Sequence, residues 1–192
     1  MILTYLILAH LLGDFIFQPK KLVIWKMRSK WGTFVHALVH LIINVAILLP
    51  FILAGEYWLL YTVTALTFTH FWIDEAKINY DLKHDNKVRP FIIDQLLHLL
   101  TILLAYFFMG ELTINLPEGQ FFKIFSDIRI INLISFLIFS TTVIEIFRFQ
   151  KEREHNKKAL FHFDANSMLN RMIGFTIIYG IFMFLAIYAF SK

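Results

Sequence analysis

Four pairs of ionisable residues recur at one spacing in this sequence. His10 and Asp14, His36 and His40, His70 and Asp74, and Asp94 and His98 each stand four residues apart, and each pair lies inside its own apolar run. Residues i and i+4 share one face of a helix, so each pair makes a single polar spot on an otherwise apolar cylinder. Together the five imidazoles and three carboxylates form a ligand set suited to divalent metal ions, zinc first, with manganese and iron as the other candidates. That is more than one tetrahedral ion takes. The set predicts either two ions sharing an aspartate, or one ion with the remaining residues orienting its ligands and serving as general base. Asp74 and Asp94 are the candidate catalytic carboxylates, as base or bridging ligand. A lone histidine of this kind is more often a hydrogen-bonded interior residue; the repetition favours a metal over a proton pathway or a structural polar network.

The elements that must carry these pairs are membrane helices. The chain has 192 residues, of which 58% are hydrophobic and 17% charged, against about 25% charged in an ordinary soluble domain. Leu41 to Gly55 and Met172 to Ala189 contain no charge. The pattern predicts an all-α, polytopic transmembrane bundle of about six spans, near residues 2–18, 32–54, 57–78, 90–109, 129–147 and 167–190. Residues 1–110 form an expected four-helix membrane core carrying the polar site. Residues 111–192 form an outer segment with the fifth and sixth spans and a basic cytoplasmic connection. Between spans one and two, Leu22, Val23, Trp25 and Met27 alternate with Lys26 and Arg28, as in an amphipathic segment lying along headgroups. Pro50 is expected to bend or end span two, and Pro90 suits a first helical turn. Phe121, Phe122 and Phe125 predict a short docking helix, and Asp164-Ala165-Asn166 a helix start. The first span has no basic leader and is broken by His10 and Asp14, so it reads as a retained span and not a signal peptide. The absence of cysteine excludes thiolate ligands and disulfides.

Lys and Arg gather in the connections after spans one, three and five, from Lys20 to Lys30, Lys77 to Arg89, and Arg148 to Lys158. The other side holds Lys123, Arg129 and Lys192. Positive charge marks the cytoplasmic face, which predicts both termini outside. In that topology all four pairs fall in the cytoplasmic half at similar depth. An ionisable side chain facing lipid costs about 2.5–3.5 kcal/mol, and such residues usually face a bundle interior. The pairs should therefore converge. Further polar residues are assigned smaller roles. Gln18 extends the face of His10 and Asp14, and Arg89 and Arg171 are candidate holders of an anionic substrate, with Gln18 beside them. Gln95 neighbours Asp94 but is expected to point elsewhere, and Asn44 extends the His36–His40 face. Glu145 near the end of span five is expected to be solvated, with a pair to Arg171 near the start of span six as the alternative, and His84, His155 and His162 fall in connections.

His10-Leu-Leu-Gly-Asp14-Phe-Ile-Phe-Gln18-Pro19, His36-Ala-Leu-Val-His40, His70-Phe-Trp-Ile-Asp74 and Asp94-Gln95-Leu-Leu-His98, in this order, resemble a widespread bacterial family of small multi-pass membrane proteins classed as a domain of unknown function. The resemblance covers roughly residues 1–110 and implies a bacterial inner-membrane protein with no established activity. A more distant likeness is to membrane-bound metal-dependent hydrolases, which also string histidines and aspartates along short hydrophobic helices. On that likeness the expected function is hydrolysis of a small-molecule or lipid phosphoester, with membrane lipid as the surrounding partner. The alternative classes are a divalent-metal or proton transporter or sensor, and a structural protein tied by metal. Specific nucleic-acid recognition has no support, and no His-Glu-x-x-His protease helix occurs.

Overall fold

The computed structural model describes residues 1–109, 116, 118–156, 159, 161 and 164–190, without the side chains of 184 and 186–190. All regular structure among them is helical. The elements are α1 (Ile2–Ile16), α2 (Lys20–Arg28), α3 (Lys30–Leu53), α4 (Leu59–Asp81), α5 (Val88–Met109), α6 (Gln120–Phe125), α7 (Ile128–His155) and α8 (Ala165–Phe190). Two helices change pitch internally: Leu12–Ile16 of α1 and Phe139–Val143 of α7 are single π turns.

Among the described residues, three helices, α3, α5 and α7, are long and apolar enough to cross a membrane, and α1 with α2 makes a fourth if that bent pair is one span. At 24 residues, α3 reaches about 36 Å, more than the roughly 30 Å hydrocarbon core. Pro50 neither ends nor breaks it, since the helix continues to Leu53. The expected continuous first span is interrupted: α2 turns away from α1 by 87° at Gln18-Pro19. Pro19 lacks a backbone N–H and holds an extended conformation ahead of α2, so the helix restarts there. The third expected span, α4, is long enough at 23 residues but too polar to pass on composition, because it carries His70, Asp74, Glu75, Lys77 and Asp81. Its polar groups are largely turned inward, with His70, Asp74 and Glu75 all buried.

α1, α3, α4 and α5 close into a four-helix bundle in which α3 and α5 each touch both α1 and α4. Outside it, α7 packs along α1 and reaches α5 with its C-terminal half, while α8 lies against α7. The bundle divides along its length. One end is apolar, built from Ile2, Tyr5 and Leu6 of α1, Leu48 and Phe51 of α3, Leu59 and Val63 of α4, and Ile102 of α5. The short helix α6 seals this end as its phenylalanine spacing predicts. Phe125 lies 4.9 Å from the Tyr5 ring and 5.3 Å from Phe51, and the Tyr5 hydroxyl donates to the Phe125 carbonyl. The other end holds the ionisable pairs. Asp164 begins α8 as its sequence implies, its Oδ1 accepting from the Ser167 N–H at 3.1 Å.

The charged stretch from Arg148 continues α7 as far as His155 and has a structural use. Glu154 Oε1 accepts from the backbone N–H groups of Lys87 and Val88 at 2.8 and 2.9 Å, capping the start of α5. A carboxylate is favoured there because the first N–H groups of a helix have no partner within it.

Candidate metal centre

All eight residues of the four pairs meet in one buried cluster. Three overlapping groups form, each with ligand atoms within 4.8 Å of one another: His10, Asp14, His40 and His70; His36, His70 and Asp74; and Asp74, Asp94 and His98. His70 joins the first two and Asp74 the last two, so the groups run as a continuous line across the bundle. One helix contributes each pair, and the pairs sit at one level because antiparallel neighbours enter and leave the bundle there.

At the centre of the first group, Asp14 Oδ1 lies 3.0 Å from both His36 Nε2 and His40 Nε2, and 3.6 Å from His70 Nε2. His10 Nε2 approaches the other oxygen at 3.7 Å. The imidazoles crowd one another, with His40 and His70 rings 3.7 Å apart and His70 and His98 rings stacked at 4.1 Å. The Nε2 atoms of His36 and His70 face each other at 3.2 Å. Ring nitrogens aimed at one another and at one carboxylate are an arrangement that a cation relieves. At the far end, His98 Nε2 and Asp94 Oδ1 are 3.5 Å apart, and both atoms are buried without a hydrogen bond. Unsatisfied buried polar atoms are uncommon, and an ion between these two would satisfy both. The buried histidines and aspartates are therefore capable of holding one or two divalent ions.

Local structure explains how α1 delivers Asp14. The π turn at Leu12–Ile16 widens the helix at Asp14, and such single-turn bulges recur at functional sites. Gly13 faces α3 so closely that a Cβ there would overlap the His40 ring. Glycine is the residue that lets the α1 backbone approach the imidazole.

Two residues given no site role by their sequence context belong to the cluster. Gln95 does not point away: its Nε2 donates to Asp14 Oδ2 at 3.1 Å and to Asp94 Oδ2 at 3.0 Å, and its Oε1 lies 3.3 Å from His10 Nε2. A side chain of that length reaches from its own helical position across to α1, which face-by-face reading of a helix overlooks. Lys26 does not lie along headgroups either. Its Nζ donates to Asp74 Oδ2 at 2.8 Å, from a side chain only 10% exposed. The signal was present in the amphipathic pattern of residues 20–28, but only the 87° turn decides which face is turned inward.

Of the three candidate substrate residues, Gln18 is at the cluster, its Nε2 2.9 Å from His36 Nε2. Arg171 is placed elsewhere. Its guanidinium donates to Glu145, to Ser167 Oγ at 2.7 Å and, through Nε, to the Ser140 carbonyl at 3.0 Å, beside the π turn of α7. Glu145 is accordingly buried and paired, not solvated as expected, and its carboxylate also meets Arg148 at 3.3 Å. Arg89 is exposed near the start of α5. Asn44 extends the His36–His40 face as expected, donating to the His40 carbonyl at 2.9 Å. His84 stacks on Tyr80 and His155 contacts the Lys151 carbonyl, both away from the cluster, and His162 lies outside the described residues.

On the side of the histidines nearer the apolar end there is a cavity of about 20 Å³ bounded by His10, His40, His70, His98, Asn44 and Thr101. That is room for one water-sized group. Leu66 and Thr101 also line a cleft of about 400 Å³ between α4 and α5, walled otherwise by Trp58, Leu104, Phe108 and similar residues.

No curated protein and no solved structure matches the chain. Residues 2–121 match the family described as "Protein of unknown function (DUF3307)"; they make up more than half of the 192 residues and include all eight clustered histidines and aspartates, and the chain belongs to that family.

Proposed function

We propose that this protein is an intramembrane metal-dependent hydrolase of a lipid phosphoester, in a bacterial inner membrane, with six spans and both termini outside. The observation that carries the reading is the buried His10–Asp14–His40–His70 group adjoining the carboxylates of Asp74 and Asp94. Three imidazoles and a carboxylate are a zinc-type ligand set. A bound divalent ion of this kind lowers the pKa of a coordinated water and so supplies a nucleophile at neutral pH. Asp94 is the stronger candidate for general base, because its Oδ1 has no hydrogen-bond partner while Asp74 is held by Lys26. Gln95, bonded to both Asp14 and Asp94, ties the metal group to that base.

The cleft between α4 and α5 supports a lipid over a nucleotide. It adjoins the cavity at Leu66 and Thr101 and is walled mainly by apolar side chains. A substrate with an acyl or prenyl tail would enter sideways from the bilayer and bring its phosphate to the histidines. Gln18 and Arg89 remain candidate contacts for the phosphate. Arg171, committed to Glu145 and Ser140, acts in this reading as a tie between α7 and α8.

The test is elemental analysis of the detergent-purified protein together with a screen of phosphoester lipids. Wild-type protein should carry zinc and hydrolyse one class of them. His40→Ala and Asp14→Asn should lose both metal and turnover, because the activated water goes with the ion. Arg171→Ala should keep its metal. Turnover that persists in metal-free protein would refute the mechanism, and loss of metal in the Arg171 variant would show that the site is misplaced.

A further inference from the structure

We infer that Lys26 is the second cation of this centre: its ammonium holds the Asp74 end of the cluster, so that the site takes one divalent ion, in the His10–Asp14–His40–His70 group, and not two. This rests on the metal reading above and specifies the number and place of the ion.

The geometry makes Lys26 a direct competitor for the second position. Asp74 belongs to both the His36–His70–Asp74 and the Asp74–Asp94–His98 groups. Its Oδ2 accepts from Lys26 Nζ at 2.8 Å, and the same oxygen lies 3.5 Å from His36 Nε2 and 3.8 Å from His70 Nε2. The ammonium therefore stands on the oxygen through which a metal ion in the His36–His70–Asp74 group would draw its carboxylate ligand. It also puts its charge beside the Asp74–Asp94–His98 group, whose His98 Nε2 faces the other oxygen, Oδ1, at 3.9 Å. Asp14, by contrast, is held by imidazoles and by Gln95, and its group is left to a metal.

The placement of Lys26 is built into the backbone. Lys20, Lys21, Arg28 and Lys30 around it are exposed, and Lys26 alone of these five is turned to the interior. α2 is pressed onto the start of α3 at Gly32, where a Cβ would run into the backbone of Trp25 and Lys26. A lysine on a mobile surface loop would snorkel to water; this one is anchored at its own Cα. Lys77 of α4 is also partly buried and lies in the field of Asp94 and Asp74, but its ammonium pairs with Asp81 at 3.1 Å, a fourth carboxylate that offsets its charge.

Charge leads to the same number. The cluster holds three aspartates. One ammonium leaves two negative charges, which a single divalent ion balances with every imidazole neutral. A second divalent ion beside Lys26 would leave the buried cluster strongly positive, against the strong preference for compensated charge in a low-dielectric interior. Without Lys26, two divalent ions and a bridging hydroxide would balance the three carboxylates.

The experiment uses the full-length chain in detergent, stripped with chelator, reloaded with zinc and measured for bound zinc per chain. Wild type should hold about one zinc, as should Lys26→Arg, which keeps the charge. Lys26→Met and Lys26→Gln should each take up a second zinc, to about two per chain. Helical circular dichroism and a single size-exclusion peak identify which of these two variants is folded, and either one suffices. Two zinc ions in the wild type, or one in the folded charge-removed variants, would overturn the role of Lys26 while leaving the metal reading standing. No zinc in the wild type would overturn the metal reading, and this inference with it.

Discussion

Gln95 is the residue whose chemistry most depends on what it touches. It satisfies one oxygen each of Asp14 and Asp94 and meets His10, so three candidate ligand or base residues take their orientation from one amide. Partners of this kind tune metal sites, and their loss typically costs about 10–100-fold in affinity. Gln95→Leu should therefore weaken zinc binding by that factor without abolishing it, as measured by competition with a chelating dye. It also leaves two buried carboxylate oxygens without a donor, worth about 1–3 kcal/mol of stability. A thermal unfolding midpoint that is unchanged in the apo protein would show that Gln95 does not bear on the aspartates.

At the scale of elements, the π turn of α1 and the break before α2 are what turn a hydrophobic hairpin into a site. The first brings Asp14 and Gly13 against α3, and the second returns Lys26 over Asp74. Gly13→Ala tests the first directly. The added Cβ would overlap the His40 ring, so either the imidazole rotates away or α1 retreats. Overpacking of this sort costs about 1–3 kcal/mol, and zinc affinity should fall further than stability alone implies because His40 is a ligand in the proposed group. Normal zinc content in Gly13→Ala, read by elemental analysis beside wild type, would mean that the close approach of α1 and α3 is not needed. The π turn of α7 does comparable work at the periphery, since the Ser140 carbonyl within it receives Arg171 from α8.

For the molecule as a whole, the division into an apolar end and an ionisable end gives the bundle a direction. Tyr5, Leu48, Phe51, Leu59 and Val63 are fully buried at one end, whereas the line from His10 to His98 occupies the other. The proposed topology puts the ionisable end toward the cytoplasm. Because the chain contains no cysteine, single introduced cysteines report sidedness without background. Lys83→Cys, in the exposed turn after α4, should label with a membrane-impermeant maleimide only after the cells are opened. Glu118→Cys, before α6, should label in intact spheroplasts. The reverse pattern would invert the protein, and labelling of both from outside would break the six-span count.

The sequence by itself determined that helices carry this protein, that they are apolar enough for a membrane, and that four polar pairs must face inward together. The reason is local: a fixed spacing of four residues on a helix puts each pair on one face, and the cost of exposing charge to hydrocarbon turns all four faces to the same interior. Which side chains reach across that interior was decided only in three dimensions. Gln95 shares no face with Asp94, Lys26 stands in a basic connection like its neighbours, and Glu145, which the topology only places on the same side as Arg171, otherwise has the surroundings of an interfacial carboxylate. Their partners Asp14, Asp74 and Arg171 lie 81, 48 and 26 residues away. Contacts over such separations depend on the 87° turn before α2, on the backbone approaches at Gly13 and Gly32, and on the packing of α8 against α7. No periodicity along one helix encodes them.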